Sequence, residues 1–330
     1  MKSTDIMIEV TSAVDIDEPA HIAATLHLPE EMPSGPLDLI FALHGGGYNR
    51  HYWHPPFADD SYSFARFFTD QGKAVLATDM LGMGQSSTPE PESRLNRAKI
   101  AAAHAAALAH CVAELGHPVS ITGLGHSMGG LMIITQAAAD QGLDRVAVLG
   151  WSNQPMVLGD TDVASLQAGL IPSGYLATPR EPMRKLFYWS DVPTELIEFD
   201  EANGSTTPAC LGRDALTPGI VHEASAQIAV PVLIVQSEID TSPAPELEPA
   251  RASGDSRRPQ RDEPHPVKTW PYGRHKSGLL RCVERTAWRF FEFPEAFSLP
   301  IGRCGGCAPR CVGDGSSHAM PCLPMPRPNE

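Results

Sequence analysis

Serine, aspartate and histidine do nucleophilic chemistry together rather than singly. This chain carries Ser127 within Gly125-His126-Ser127-Met128-Gly129, then Asp240, then His275. A serine hydroxyl is a weak nucleophile at neutral pH. It needs an imidazole to take its proton, and an acid to fix that imidazole's tautomer and stabilise its charged form. The pentapeptide fits Gly-x-Ser-x-Gly, a loose pattern that gains meaning from its neighbours. Val119-Ser120-Ile121-Thr122-Gly123-Leu124 reads as a buried strand, and the apolar stretch from Leu131 to Ala139 as a buried helix. A serine on the tight turn between such elements is held in a strained conformation, with its hydroxyl above the sheet edge. The flanking glycines leave room where a side chain would crowd the strand or helix beside it.

A second segment could serve the same chemistry. The apolar run Leu37-Asp38-Leu39-Ile40-Phe41-Ala42-Leu43 reads as a central strand and ends in His44-Gly45-Gly46-Gly47-Tyr48. Three successive glycines leave backbone N–H groups able to approach a ligand closely. Alone they read as a flexible turn; beside the serine turn they read as one half of an oxyanion hole. Further on, Ile228 to Val235 reads as a strand leading into Gln236-Ser237-Glu238-Ile239-Asp240, and Val267-Lys268-Thr269-Trp270 as a short strand leading to His275. Ser127, Asp240 and His275 thus each follow the carboxyl end of a strand, the edge where ligands collect in an open parallel sheet.

With these features the sequence resembles the α/β-hydrolase family over about residues 20–293. The likeness rests on His44-Gly45-Gly46-Gly47, on Asp79-Met80-Leu81-Gly82-Met83-Gly84-Gln85-Ser86, on the turn at 125–129, on the strand ending at Asp240 and on the loop carrying His275. The resemblance implies Ser127 as nucleophile, His275 as general base and Asp240 as the acid that orients it. It also implies oxyanion donors in the N–H of Met128 and that of Gly46 or a neighbouring glycine. Glu238, two residues before Asp240, is an alternative acid, and the proline-rich excursion 241–266 accounts for the long gap to His275. The implied reaction is two-step acyl transfer on a small-molecule carboxylic ester or lactone, and it calls for no metal or organic cofactor. Amide or C–C bond hydrolysis and an inactive binding protein are the alternatives the same fold offers.

Regular elements must hold these residues. Residues 6–12 and 21–28 read as strands, the second alternating as a half-exposed edge hairpin would. A helix over 59–72 closed by Gly72, a strand over 74–78, an alanine-rich helix over 94–115 ended by Gly116 and Pro118, and a strand over 145–151 follow. The alternation predicts a mostly parallel, doubly wound α/β sheet of about eight strands with helices on both faces. Residues 153–226 break the rhythm, with several prolines and the cluster Leu186-Phe187-Tyr188-Trp189. They read as an inserted helical lid, or as an excursion with no gating role. The chain then divides into a core at 1–152, the lid at 153–226, the rest of the core at 227–293 and a tail at 294–330. Tyr52, Trp53 and Phe57, with Tyr188 and Trp189 of the lid, are candidates for substrate contact or for packing. His104 and His110 read as packing or surface residues.

Composition sets outer limits. The 330 residues are 42% hydrophobic and 19% charged with a formal net charge of -14, which suits a soluble globular protein and argues against a nucleic-acid partner. No stretch approaches the roughly 20 apolar residues of a membrane span. The segment Met1-Lys2-Ser3-Thr4-Asp5 lacks a signal peptide's apolar core, so a cytoplasmic protein is expected. Of seven cysteines, Cys111, Cys210 and Cys282 are scattered and read as reduced thiols. Cys304, Cys307, Cys311 and Cys322 cluster in a tail with seven prolines and five glycines. With His318 they could be offered as a zinc site, but the near absence of apolar periodicity favours a disordered appendage. The sequence carries no sign of an oligomeric state.

Overall fold

The computed structural model describes residues 1–56, 60–156, 162–163, 174–178, 184, 188 and 192–236. The chain opens with β1 (Lys2–Glu9), a single helical turn α1 (Thr11–Val14) and β2 (His21–Leu28), the two strands pairing antiparallel from Lys2↔Leu28 to Glu9↔His21. β1 is the exposed edge. β2, expected at an edge, lies between β1 and a later strand, and Ile22 to Thr25 are buried. Its polar alternation has partners across the hairpin instead of water. Thr25 donates to Asp5 at 2.6 Å, and His27 Nδ1 lies 2.8 Å from the Ser3 hydroxyl.

β3 (Leu37–Leu43) is buried at every position but Asp38, as a central strand requires. Next come α2 (Phe64–Thr69) and β4 (Ala74–Thr78). α2 is shorter than the helix expected over 59–72 because Ser63 caps it, its hydroxyl accepting from the Arg66 N–H. α3 (Arg97–Leu115) runs from an Asn96 cap to Gly116 at φ 56, and buries Ile100, Ala103, His104, Ala107, Leu108 and Cys111 along one stripe. β5 (Val119–His126), α4 (Met128–Ala138) and β6 (Arg145–Leu149) complete the run of strand and helix.

Residues 153–226, expected to be mainly helical, also contribute strands. Among those described, β7 (Tyr175–Ala177) pairs antiparallel with β8 (Thr206–Pro208), beside α5 (Thr194–Ala202), α6 (Ala209–Ala215) and α7 (His222–Ser225). β9 (Val232–Val235) then joins the main sheet. Its order is β1-β2-β4-β3-β5-β6-β9, and every strand from β3 onward in that order pairs parallel with its neighbour. This sheet has seven strands among the described residues; the strand expected at 267–270, the helix expected at 278–293 and the tail at 294–330 lie outside them.

The two faces of the sheet are legible in its alternation. Leu39, Phe41, Leu43 and Leu76 belong to one core cluster with Ile100, Leu131 and Ile133 of the helices. Ile40, Ala42, Val75 and Ala77 belong to a second, with Trp53, Phe64 and Phe68. Odd and even residues of one strand feed opposite cores, so the sheet is covered on both sides. No helix among the described residues is long and apolar enough to cross a membrane.

Candidate active site

Ser127 joins β5 to α4 with φ 52 and ψ −117. Glycine enters that region freely, whereas another residue held there costs on the order of 1–3 kcal/mol. Neighbouring backbone enforces it. The Ser127 N–H donates to Leu149 O of β6 at 2.7 Å, and its carbonyl accepts from Gly130 N at 2.8 Å and Leu131 N at 3.2 Å. The flanking glycines are required sterically. A Cβ on Gly125 would stand 2.1 Å from Gly129 O, and one on Gly129 would stand 2.2 Å from Leu43 O. Strand and helix therefore cross at backbone contact over the end of β3.

The Met128 N–H opens α4 and has no carbonyl partner among the described residues. It stands at the positive end of the helix dipole. The glycine run lies against the same turn: a Cβ on Gly45 would be 3.5 Å from Ser127 Cβ, and one on Gly46 would be 2.9 Å from Met128 Cε. Of the residues singled out in the sequence, Ser127, Met128 and Gly46 are thus brought together.

The glycine run is anchored on both sides. The fully buried His44 ring places Nδ1 2.8 Å from Gly45 O and Nε2 3.2 Å from Met80 N. Since the Met80 N–H must donate, Nε2 is the acceptor and Nδ1 carries the proton. Burial holds this imidazole below its ordinary pKa. Past the glycines, the Arg50 N–H donates to Asp79 Oδ1 at 2.6 Å and Arg50 Nη1 to Oδ2 at 2.7 Å. Asp79 is fully buried and also accepts from the Gln85 N–H at 2.7 Å. The Asp-x-x-Gly-x-Gly-x-Ser turn read in the sequence therefore works as a buried anchor for the loop after β3. Its partner Arg50 is not marked in the sequence, since an isolated arginine carries no local pattern.

Asp240, its alternative Glu238, His275, Trp189 and Phe57 lie outside the described residues. β9, which leads toward Glu238 and Asp240, pairs with β6 up to Leu149↔Val235, so it ends at the sheet edge that carries Ser127.

The Alpha/beta hydrolase family model matches residues 39–287 of the 330. The chain belongs to the α/β-hydrolase family. No curated protein sequence matches it. Among solved structures it is similar to a thermophilic esterase from Thermogutta terrifontis determined with malate bound, at 14% identity and a TM-score of 0.55, covering 89% of this chain and 100% of that one. It is also similar to bromoperoxidase from Bacillus anthracis, at 16% identity and a TM-score of 0.51, covering 76% and 86%. At such identities the likeness is one of fold.

In this α/β hydrolase the aromatics near the turn divide between core packing and the serine turn. Trp53, read as a candidate for substrate contact or for packing, is 1% exposed and sits edge-on to Phe64 in the second core cluster, with ring centroids 4.9 Å apart. Its large apolar surface is used in packing. Tyr52 instead approaches the serine turn, stacked flat on His126 at 5.3 Å with an interplanar angle of 6°, and Tyr48 meets Tyr52 edge-on at 5.1 Å. Burial pushes the Tyr52 hydroxyl well above its ordinary pKa. Tyr188 donates to Asp200, and burial, then Tyr48 and Asp200, push its hydroxyl far up as well. Neither phenol is an ionisable participant near neutral pH.

Proposed function

We propose that this chain is a serine hydrolase cleaving a carboxylic ester or lactone through an acyl-enzyme on Ser127. The observation that carries the reading is the Ser127 backbone at φ 52, forced by its neighbours beside the Met128 N–H and the glycine run. Strain of that kind persists only where the surrounding structure over-determines it, and it gathers at reacting residues.

In this reading His275 takes the Ser127 proton as Oγ adds to the carbonyl carbon. Asp240 keeps the imidazole oriented and balances its charge. The carbonyl oxygen becomes an oxyanion held by the Met128 and Gly46 N–H groups, and the tetrahedral intermediate collapses as His275 protonates the leaving alcohol. Water then attacks the acyl-enzyme, giving its proton to His275, and the acid departs as that proton returns to Ser127. The apolar part of the substrate lies against Tyr48, Tyr52 and the inserted segment, with Tyr188 and Trp189 as its contacts there and the segment acting as a lid. The substrate is a small molecule, and a chain with a net charge of -14 is a poor partner for nucleic acid.

Fluorophosphonate labelling of the wild type and Ser127→Ala, followed by a panel of esters, lactones and amides, tests the reading. Labelling confined to the wild type, with ester or lactone turnover, supports it. An unlabelled wild type overturns it, and turnover of amides alone overturns the ester assignment. For the acid, Asp240→Asn is expected to lower kcat about 10⁴-fold while Glu238→Gln is mild. The reverse order moves the acid to Glu238.

A further inference from the structure

The described part of the inserted region touches the glycine run through a short stretch of chain. Asn203 O accepts from Asn49 Nδ2 at 2.6 Å, and Ser205 Oγ accepts from the Gly84 N–H at 2.6 Å. The Ser205 N–H donates to Gly47 O at 2.9 Å, and the Gly47 N–H donates to Thr207 Oγ1 at 2.9 Å. Both backbone polar groups of Gly47 are therefore engaged by β8 and the residues before it. Gly47 has φ 74, and a Cβ there would meet Thr178 Oγ1 at 2.5 Å, so the end of β7 closes on it too.

We infer that Thr207 is a positioning residue whose hydroxyl, by holding the Gly47 N–H, aims the preceding Gly46 N–H at the oxygen of a carbonyl attacked by Ser127. The inference rests on the acyl-transfer reading above. Three glycines in a row have little stiffness of their own, and fixing one residue's backbone costs roughly 1–2 kcal/mol. An oxyanion donor helps only if it points correctly before charge develops. The Gly46 N–H lies between two anchors, the His44 ring at Gly45 O and Thr207 at Gly47 N. The first belongs to the core and the second to the insertion. Thr207 is itself 6% exposed, so water does not readily replace it as acceptor. A valine there keeps the shape but removes the hydroxyl that accepts from the buried Gly47 N–H, so the loop loses the bond that sets its direction. Oxyanion stabilisation is thereby made conditional on the β7–β8 sheet being seated.

The test compares Thr207→Val, Thr207→Ser and Ser205→Ala with the wild type on an ester that the wild type turns over. It also measures inhibition by an aryl trifluoromethyl ketone, whose adduct with Ser127 needs the same donors. Thr207→Val is expected to lower kcat and ketone affinity together by about 10- to 100-fold, with KM nearly unchanged. Thr207→Ser, which keeps the hydroxyl, recovers most of the loss. Ser205→Ala loosens the same stretch through Gly84 but leaves Gly47 its acceptor, and is expected to stay within about twofold of wild type. Should Thr207→Val fail to fold, Thr207→Ala replaces it in the same comparison. Unchanged kcat in the valine variant, a loss confined to KM, or an equal fall in Ser205→Ala overturns the inference. A wild type that fluorophosphonate does not label overturns the acyl-transfer reading and this inference with it. Normal labelling with a silent Thr207→Val removes this inference alone.

Discussion

The Ser127 backbone conformation, φ 52 and ψ −117, is stable only as a glycine's would be, so the side chain is kept there at a cost. Ser127→Gly is expected to be more stable than Ser127→Ala by about 1 kcal/mol, since alanine retains the strain and glycine sheds it, an advantage only partly offset by glycine's larger entropy loss on folding. Urea unfolding of the two variants decides it; equal midpoints would mean that the turn stores no strain. The flanking glycines carry a different constraint. A Cβ on Gly129 meets only backbone, the carbonyls of Leu43 and His44 at the end of the central strand, so Gly129→Ala should cost about 3 kcal/mol or more, at the high end for overpacking. Gly116→Ala is the control: φ 56 strains it, but nothing lies within 4 Å of the added Cβ, so about 1 kcal/mol is expected. This part of the site was legible because a five-residue pattern encodes its own geometry, each small residue answering to a contact that the turn creates.

Elements are joined at the site by a buried charge pair. Asp79 follows β4 and Arg50 follows β3, and their side chains are 0% and 6% exposed. The Asp79 carboxylate holds the Arg50 backbone and head group and the Gln85 N–H together, which fixes the path of the chain after the glycine run. Removing Asp79 leaves the buried Arg50 head group with only the exposed Asp5 carboxylate, 3.7 Å away, to balance its charge. Asp79→Ala is therefore expected to destabilise by about 3–5 kcal/mol, read as a lowered urea midpoint, and a loss below about 1 kcal/mol would contradict this role. The elements that sequence periodicity found were long ones or fully apolar ones, such as α3, β3 and α4. β7 and β8, three residues each, were too short to show a period of two. β2 was placed at an edge because Thr25 and His27 alternate with apolar residues, and nothing nearby in sequence shows that Asp5 and Ser3 of β1 satisfy them.

For the whole molecule, legibility fell off with sequence separation. The hydrogen bond from Gly47 to Thr207 spans 160 residues and that from Arg50 to Asp79 spans 29, and neither leaves a trace in local composition. The buried histidines are a third case. They look unremarkable singly, yet the fold buries His27, His44, His51, His54 and His104 wholly or in part, and burial is the leading cause holding each below its ordinary pKa. His27 is brought to about 4, with His54 beside it adding to the effect, and His104 to about 3. The unfolded chain takes up these protons near pH 6.5 and the folded chain only at lower pH, so between those limits the unfolded state binds more protons. Stability is therefore fully present above about pH 6.5 and is lost as pH falls toward 4. The depressed carboxylates Asp5, Glu9 and Glu30 act only below their ordinary values of 3.8 to 4.5, so above about pH 5 the histidines dominate the pH dependence. Between pH 7.5 and 5, His27 alone is expected to withdraw about 2 kcal/mol of unfolding free energy, and His27→Gln should make the profile shallower by about that amount. The measurement is a series of urea unfolding curves across that range. A wild type as stable at pH 5 as at pH 7.5 would mean that these imidazoles titrate in the folded chain as they do in the unfolded one, and that the cores around them admit charge.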